Sequence, residues 1–418
     1  MAGIKDIFFG KKSDKAEVRS SLENPQIPIS SQAIVEFFGI DSLSSAGINV
    51  SVDSALGVPA VWAAVNFLSG TLASLPLSVY RKTEAGREKG DEKLQRILHD
   101  CPSDGQTSFD WRKYSFERTF TGGRQISYIE RLSTGEILNI FPVDPANVTV
   151  KRTGFKKVYR IKSGQTSKDY PEKDIIDIPF MLKSDGITAI SPILQNKDAI
   201  GLAIAATAYG SKFFQNGGIP PFVMTGNFVS GKALERAASD VESTIKKQSR
   251  ENGRQVLTLP AGHDIKQIGV DPEKSQLVEL KRFQIEEVAR IYSLPPVFLQ
   301  DLTHGTIGNT EQQDLHLVKH TIRRWVVQAE QELNLKLFGR ENQDQYVEFN
   351  LDGLLRGDFA TRMAGYATAV QNAIMQPAEI RDKENLPFVE KSDSLLIQGA
   401  TVPLGTQTTF TQPAPASV

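Results

Sequence analysis

SPILQNKDAIGLAIAATAYGSKFFQN, residues 191–216, is the stretch of sequence that decides the fold. It is rich in small residues, which are Ala199, Gly201, Ala203, Ala205, Ala206, Ala208 and Gly210. Small side chains on several faces of a helix let neighbouring helices approach closely. The pattern predicts one long helix that is packed on more than one side. Its apolar part is shorter than the roughly 18 residues that a membrane span needs, so we expect no membrane contact.

Downstream of this helix the pattern predicts a compact insert and then two more helices. Pro295 and Pro296 end the first of these helices, because proline cannot continue it. The second begins with a capping box at Thr310 and ends before Gly339. The predicted elements are strand 221–225, helix 232–250, strands 254–259 and 265–270, helix 275–293 and helix 310–338.

Upstream, Val61, Val65, Leu68 and Leu72 recur at spacings of four and three, which predicts a helix with one buried stripe. A second helix stops at Gly122 and Gly123. The predicted elements are helices 58–74 and 109–121 with strands 75–80, 126–131, 137–141, 148–151 and 156–162. Residues 1–50 are interpreted as a flexible arm, and the low-complexity residues 398–418 as a disordered tail.

Composition and charge narrow the class of protein. The 418 residues include 48 Lys and Arg against 49 Asp and Glu, a net charge of −1. Proteins that hold DNA through counterion release usually carry a strong basic excess, so any contact with DNA should be local and transient. The single cysteine, Cys101, excludes an internal disulfide and a cysteine metal cluster.

The motifs that suggest catalysis are incomplete. GNFVSGKA, residues 226–233, has the spacing of a phosphate-binding loop, but Ala233 stands where Mg²⁺ needs a hydroxyl. His316 and His320 are four residues apart on a predicted helix, yet no glutamate follows His316 and no third ligand is near. We therefore expect no catalytic residue, no metal and no cofactor. An NTPase or nuclease that uses the imperfect loop remains the alternative function.

A basic run follows residue 150, with no acidic residue before Asp169. Its members are Lys151, Arg152, Lys156, Lys157, Arg160, Lys162 and Lys168. A solvated hairpin is the favoured interpretation. Contact with an acidic partner or with a nucleic-acid backbone is the alternative, and for it Lys151, Arg152, Lys156, Lys157 and Arg160 form the candidate patch.

Several segments, taken in order, resemble the portal proteins of long-tailed bacteriophages and prophages. They are VWAAV (61–65) before LASLPL (72–77), GITAISPI (186–193) before FFQNG (213–217), IYSLPP (291–296), NTEQ (309–312), LRGD (355–358) and EIR (379–381). The last departs from the family's pattern, because Pro377-Ala378 precede Glu379 without the family's asparagine and the spacing from glutamate to arginine is shorter.

The resemblance implies an α+β portal fold with an α/β wing, a two-helix stem, an α/β clip and a helical crown. Its parts would be arm 1–50, wing 51–188, stem helix 189–216, clip 217–272, second stem helix 273–299, tunnel loop 300–309, wing helix 310–350, crown 351–397 and tail 398–418.

The resemblance also implies a function: a homo-oligomeric ring of about twelve copies at one capsid vertex, through which double-stranded DNA moves. Implied partners are the terminase large subunit, a head–tail adaptor, and the major capsid or scaffold protein. The protein would assemble in the bacterial host cytoplasm and reside in the virion. Ala199, Ala203, Ala205 and Ala206 would pack against neighbouring subunits. The tunnel-loop residues Thr303, His304, Gly305, Thr306, Gly308 and Asn309 would touch the DNA.

Overall fold

The first two helices of the described chain are α1 (Val52–Leu56) and α2 (Pro59–Ser74). Ser51 and Ser54 form a capping box that starts α1, and Pro59 occupies the first turn of α2, where its missing N–H is not needed. The stripe that includes Val61 and Leu72 is buried, as its period predicts. The prediction of this helix is confirmed.

The computed structural model describes residues 43–84, 86–215, 222–226, 263–267, 277–300, 310–341, 344–351, 354, 359–384, 386–390 and 392–396, with isolated positions between 231 and 239. The chain divides into two compact units. The main unit contains the described residues up to 300 together with 319–350. The C-terminal unit contains 310–318 and the described residues from 351 onward.

Runs of strands and runs of helices follow one another along the chain. The described strands are β1 (Leu77–Thr83), β2 (Gly86–Lys89), β3 (Arg124–Arg131), β4 (Ile137–Val143), β5 (Val148–Thr153), β6 (Lys156–Ser163), β7 (Thr166–Pro171), β8 (Ile175–Pro179), β9 (Phe222–Gly226), β10 (His263–Gln267) and β11 (Gln345–Phe349). The further described helices are α3 (Glu92–His99), α4 (Ser108–Gly122), α5 (Pro192–Gln195), α6 (Lys197–Gln215), α7 (Leu277–Tyr292), α8 (Thr310–His316), α9 (Arg323–Phe338), α10 (Phe359–Gln371) and α11 (Pro377–Lys383).

Every described strand pair is antiparallel. The sheets have the orders β11-β1-β2, β4-β3-β8, β5-β6-β7 and β10-β9. Antiparallel sheets next to packed helices are typical of the α+β class, which is confirmed. The strands β9 and β10 belong to the predicted insert, whose helix 232–250 and strand 254–259 lie outside the described residues, apart from isolated helical positions.

An aromatic cluster holds the helices of the main unit together. The Phe120 ring on α4 meets the Trp325 ring on α9 edge-on, with centroids 5.0 Å apart, and the Tyr292 ring on α7 at 6.3 Å. The Tyr292 hydroxyl also donates a hydrogen bond of 2.9 Å to the Phe120 carbonyl. Residues far apart in sequence therefore fix α4, α7 and α9 against one another.

Two long helices that the sequence predicts are interrupted. The helix predicted over 191–216 breaks at Asn196, whose side-chain amide donates a hydrogen bond of 2.8 Å to the Pro192 carbonyl. Such a local bond competes with the helical backbone pattern. The helix predicted over 310–338 contains a π-helical stretch, Leu317–Ile322. Within it, the Thr321 hydroxyl donates to the carbonyl of Ser293 at 2.5 Å.

The end of the predicted arm is not loose. Ser44 and Val50 are buried, and the Ser45 amide donates a hydrogen bond of 2.7 Å to Asp198 at the start of α6. A side chain at Gly201 would collide with Ser44, so glycine permits this close approach. The prediction of a flexible arm is therefore wrong for residues 43–50. Residues 1–42 and the tail 398–418 lie outside the described chain.

Candidate functional site

The helix pair α6–α7 contains the residues proposed to pack between subunits. The two helices pack against each other, and Ala203 and Ala206 are buried within the single subunit. Ala199 and Ala205 are half-buried. The candidate set is thus divided: Ala203 and Ala206 serve the subunit's own packing, and the expectation that they face a neighbour is wrong. The helical period of 3.6 residues shows which small residues share a face, but it does not show which of those faces is covered by the chain's own helices.

The opposite side of α6 carries large apolar side chains that sequence reasoning did not single out. Leu202 and Tyr209 are exposed and share one helix face with Ala205, since spacings of three and four return to the same side. We call Leu202, Ala205 and Tyr209 the apolar strip of α6. On α7, Phe283 is exposed as well and carries the Arg290 guanidinium 5.4 Å above its ring. The sequence signal for this strip was the presence of Leu202 and Tyr209 among the small residues of the helix.

The basic run forms the sheet β5-β6-β7, whose register divides it between two faces. Val150 pairs with the buried Tyr159, so both point inward, and Arg152 and Lys157 share that face. The Lys157 ammonium lies 3.8 Å from the Asp177 carboxylate. Lys157 therefore lies near a carboxylate of its own subunit, while its place in a contact patch stays a prediction.

The outward face of this sheet carries Lys151, Lys156, Arg160 and Lys162. Arg160 donates two hydrogen bonds, of 2.6 and 2.7 Å, to the carboxylate of Asp169 on β7. These bonds lower the pKa of Asp169. Phe155, in the turn between β5 and β6, is fully exposed, with a relative accessibility of 104%. One of the outward cations is thus neutralised locally, which favours the interpretation as a solvated hairpin.

A buried charge network lies beneath the sheet, and no sequence pattern points to it. Arg124 on β3 lies 2.9 Å from Asp177 on β8, with side chains only 9% and 2% exposed. The Asp177 amide donates a hydrogen bond of 2.9 Å to Glu332 on α9. Burial raises the pKa of Glu332, and the Lys336 ammonium 3.6 Å away opposes that shift. The network joins the sheets β4-β3-β8 and β5-β6-β7 to α9. Its hydrogen bond between Asp177 and Glu332 connects residues more than 150 positions apart in sequence.

The remaining sequence candidates are placed as follows. His316 and His320 are exposed, as is the single cysteine, Cys101, just after α3. The tunnel-loop residues 301–309 lie outside the described chain, as does most of the loop 226–233. In the described part of the chain, no group of three or more His, Cys, Asp or Glu side chains could hold a metal ion. No helix there is long and apolar enough to cross a membrane.

The described residues show an exposed apolar strip on α6 and a buried charge network, and the comparisons with known proteins give the family. The profile of the phage portal protein family matches residues 59–385, and the chain belongs to this family. The portal protein of Enterobacteria phage HK97 is 29% identical over 367 residues, which cover 85% of this chain and 85% of that protein.

Two solved structures have a similar fold. An HK97-family phage portal protein from Corynebacterium diphtheriae superposes with a TM-score of 0.52 at 16% identity, covering 75% of this chain and 97% of its own. A chain from the neck of a native gene transfer agent particle, computed with C12 symmetry, gives 0.55 at 18% identity, covering 80% and 91%. Both likenesses agree with the mixed helix-and-sheet fold.

Proposed function

We propose that this chain is a structural portal protein, whose copies form a closed ring at one vertex of a capsid. Double-stranded DNA passes through the ring during packaging and leaves through it during ejection. The observation that supports this best is the family match over residues 59–385. The neck of a related particle, computed with C12 symmetry, favours twelve copies in the particle.

The apolar strip of α6 supports ring formation. Leu202 and Tyr209 are exposed in the single subunit although both are large and apolar, and a neighbouring copy would remove them from water. Contacts between two different surfaces of the same chain close into a ring when the rotation between copies is right. The exposed Phe283 on α7 offers a second apolar surface.

The parts of the ring follow the family's plan. In this proposal 51–188 and 310–350 form the wing, 189–216 and 273–299 the stem, 217–272 the clip and 351–397 the crown. Residues 300–309 form a tunnel loop that touches DNA without gripping it, since the loop has no Lys or Arg. The terminase large subunit, a head–tail adaptor, and the capsid or scaffold protein bind outside the channel. The ring assembles in the bacterial cytoplasm and stays in the virion.

The proposal assigns no catalytic role to the chain. Ala233 follows Lys232 where a nucleotide-binding loop needs a hydroxyl for Mg²⁺. A separate ATP-driven motor would therefore move the DNA. Purified protein is expected to hydrolyse no ATP, and Mg²⁺-dependent turnover that Lys232→Ala abolishes would favour the enzymatic alternative instead.

Electron microscopy and light scattering of the purified protein test the ring directly. The wild type is expected to form rings with a central hole. Tyr209→Asp should disperse them into subunits, because it places a charge on the apolar strip of α6. Phe155→Asp, at an aromatic residue on the hairpin that is more exposed than Tyr209, is the control and should leave the rings intact. Only dispersed wild-type protein at every concentration would contradict the proposal.

A further inference from the structure

A small closed cavity lies inside the main unit, where the helices α4 and α9 pack against the strands β3 and β8. Its volume is about 20 Å³, and every residue that lines it is at most 8% exposed. Most of the lining is apolar, with Trp111, Ile176 and Leu333 among its members. A cavity needs roughly 10–15 Å³ to hold one water molecule. The size of this cavity therefore suits a single water molecule.

Two oxygen atoms of the lining residues are buried without a hydrogen-bond partner. They are Oγ of Ser115 on α4 and Oε1 of Gln125 on β3, and neither has a partner among the described residues. Such atoms lose their bonds to water on folding and gain nothing in return, which destabilises the folded state. Either end of the Gln125 amide can bond to water, since its nitrogen donates and its oxygen accepts. The cavity thus has polar groups on two different elements.

A buried cation is the third polar group of the lining. Arg112 is 8% exposed, and its Nε donates a hydrogen bond of 3.2 Å to the Ser108 carbonyl, while its Nη1 donates to the Leu75 carbonyl. It forms no ion pair with any described residue, and burial lowers its pKa to about 10, so it stays charged near neutral pH. A guanidinium has five N–H groups, so three of them remain for other acceptors. A water dipole in the cavity would offset part of the hydration that this charge loses.

We propose that the cavity is an internal hydration site, which holds one buried water molecule between Ser115 and Gln125. The water donates a hydrogen bond to the Gln125 side-chain oxygen and shares a second bond with the Ser115 hydroxyl, and Arg112 is the donor available for a third. Buried waters typically make about three hydrogen bonds to otherwise unsatisfied polar groups, whereas cavities that stay dry are lined by apolar groups. The site lies within one subunit, so the inference does not depend on ring formation.

Unfolding of the full-length protein in urea tests whether Ser115 and Gln125 share a water molecule. Ser115→Ala and Gln125→Met each leave the water short of one partner, so each should lower the folding equilibrium constant by about fivefold or more. The double variant should lose much less than the product of the two single losses, because an apolar pair no longer holds the water. In a dry cavity each substitution would instead remove an unpartnered oxygen and stabilise the protein, which would overturn the inference.

Ser69 supplies the matched control for this cycle of variants. It is a buried serine on α2 that does not line the cavity, and its hydroxyl donates a hydrogen bond of 3.4 Å to the Asn66 carbonyl. The effects of Ser69→Ala and Gln125→Met should multiply in their double variant, since these residues share no partner. Losses that simply multiply for Ser115 and Gln125 as well, or the same coupling in the control pair, would overturn the inference.

A crystal structure of the full-length protein, at a resolution that shows ordered waters, tests the site without any substitution. In wild type, one density peak is expected within hydrogen-bond distance of both Ser115 Oγ and the Gln125 side-chain amide. This peak should be absent when Ser115→Ala and Gln125→Met are combined. A wild-type cavity without density would overturn the inference, even where a variant fails to fold.

Discussion

The hydroxyl of Tyr159, on the middle strand β6 of the sheet β5-β6-β7, donates a hydrogen bond of 2.7 Å to the carboxylate of Asp177 on β8. Burial raises the pKa of this phenol, and the charge of Asp177 raises it further. The phenol therefore stays protonated and remains a donor. Because Asp177 also pairs with Arg124, a single carboxylate connects the sheet β5-β6-β7 to the sheet β4-β3-β8.

Asp177→Ala should lower the free energy of unfolding by about 3–5 kcal/mol, because it leaves Arg124 buried without its counter-charge. Tyr159→Phe should lower it by about 1–2 kcal/mol, since only one hydrogen bond is lost. Urea unfolding of both variants measures the difference. Similar values for the two would show that the Arg124–Asp177 pair carries little of the stability.

Lys156 and Lys157 are neighbours in sequence on opposite faces of the sheet, and they form a matched pair. Lys157→Ala should lower the free energy of unfolding by about 1 kcal/mol, because it removes a partner of Asp177 at 3.8 Å. Lys156→Ala should change it by less than about 0.5 kcal/mol, as outward surface substitutions usually do. A larger loss for Lys156→Ala in urea unfolding would contradict the assignment of faces.

Ala205 and Ala206 test which small residues serve the subunit. Ala206→Leu should destabilise the dispersed subunit by about 1–3 kcal/mol through overpacking, since Ala206 is buried within it. Ala205→Leu should leave the subunit's thermal unfolding nearly unchanged and impair ring formation. Thermal unfolding together with light scattering distinguishes the two effects, and the opposite ranking would be inconsistent with the observed helix face.

Asp185 gives a pH dependence whose sign follows from its hydrogen bonds. The Thr188 hydroxyl first, then the amides of Ile187 and Thr188, lower the pKa of Asp185 to about 2 from an ordinary 3.8. The unfolded state binds the proton more readily, so this contribution to stability is complete above about pH 4 and is lost as the pH falls towards 2. The protection of the Thr188 amide, measured as its exchange rate relative to the intrinsic rate at each pH, should fall over that window in wild type but not in Asp185→Ala, where it should already be low.

Shortening the loop 303–308 tests the channel. Ring assembly should be unaffected, because the loop sequence is mostly polar and includes Thr303, His304 and Thr306. DNA retention in assembled particles should fall. Particles with a normal DNA content would contradict the tunnel-loop role, whereas lost rings would show that the loop supports assembly.

The sequence predicts the elements that depend on local signals. The buried stripe of α2 and the end of α4 before Gly123, which adopts a left-handed conformation, follow from period and glycine position. The short helix α3 was missed, although Asp91 caps it and Leu94 and Leu98 share a buried face. The local features needed to find it were present.

The remaining features of the fold and of the candidate site could not be predicted from local sequence patterns. The break at Asn196 involves a local side-chain bond that competes with the regular helix, and the π-helical stretch Leu317–Ile322 contains Thr321, which bonds to Ser293 in another segment; a periodic pattern does not register either feature. The Arg124–Asp177 pair joins residues 53 positions apart (177 − 124), and Glu332 joins it from α9. Likewise, whether Ala206 faces its own subunit or another depends on where α7 packs, which no single helix encodes.

Cys101 is the single cysteine of the chain, and its side chain is exposed just after α3. A thiol-reactive dye would consequently mark every copy once and only once. In a ring of identical copies the number of stepwise photobleaching events on one particle then equals the number of subunits, corrected for labelling efficiency. The subunits of a ring can thus be counted by labelling the natural Cys101, with no engineered residue required.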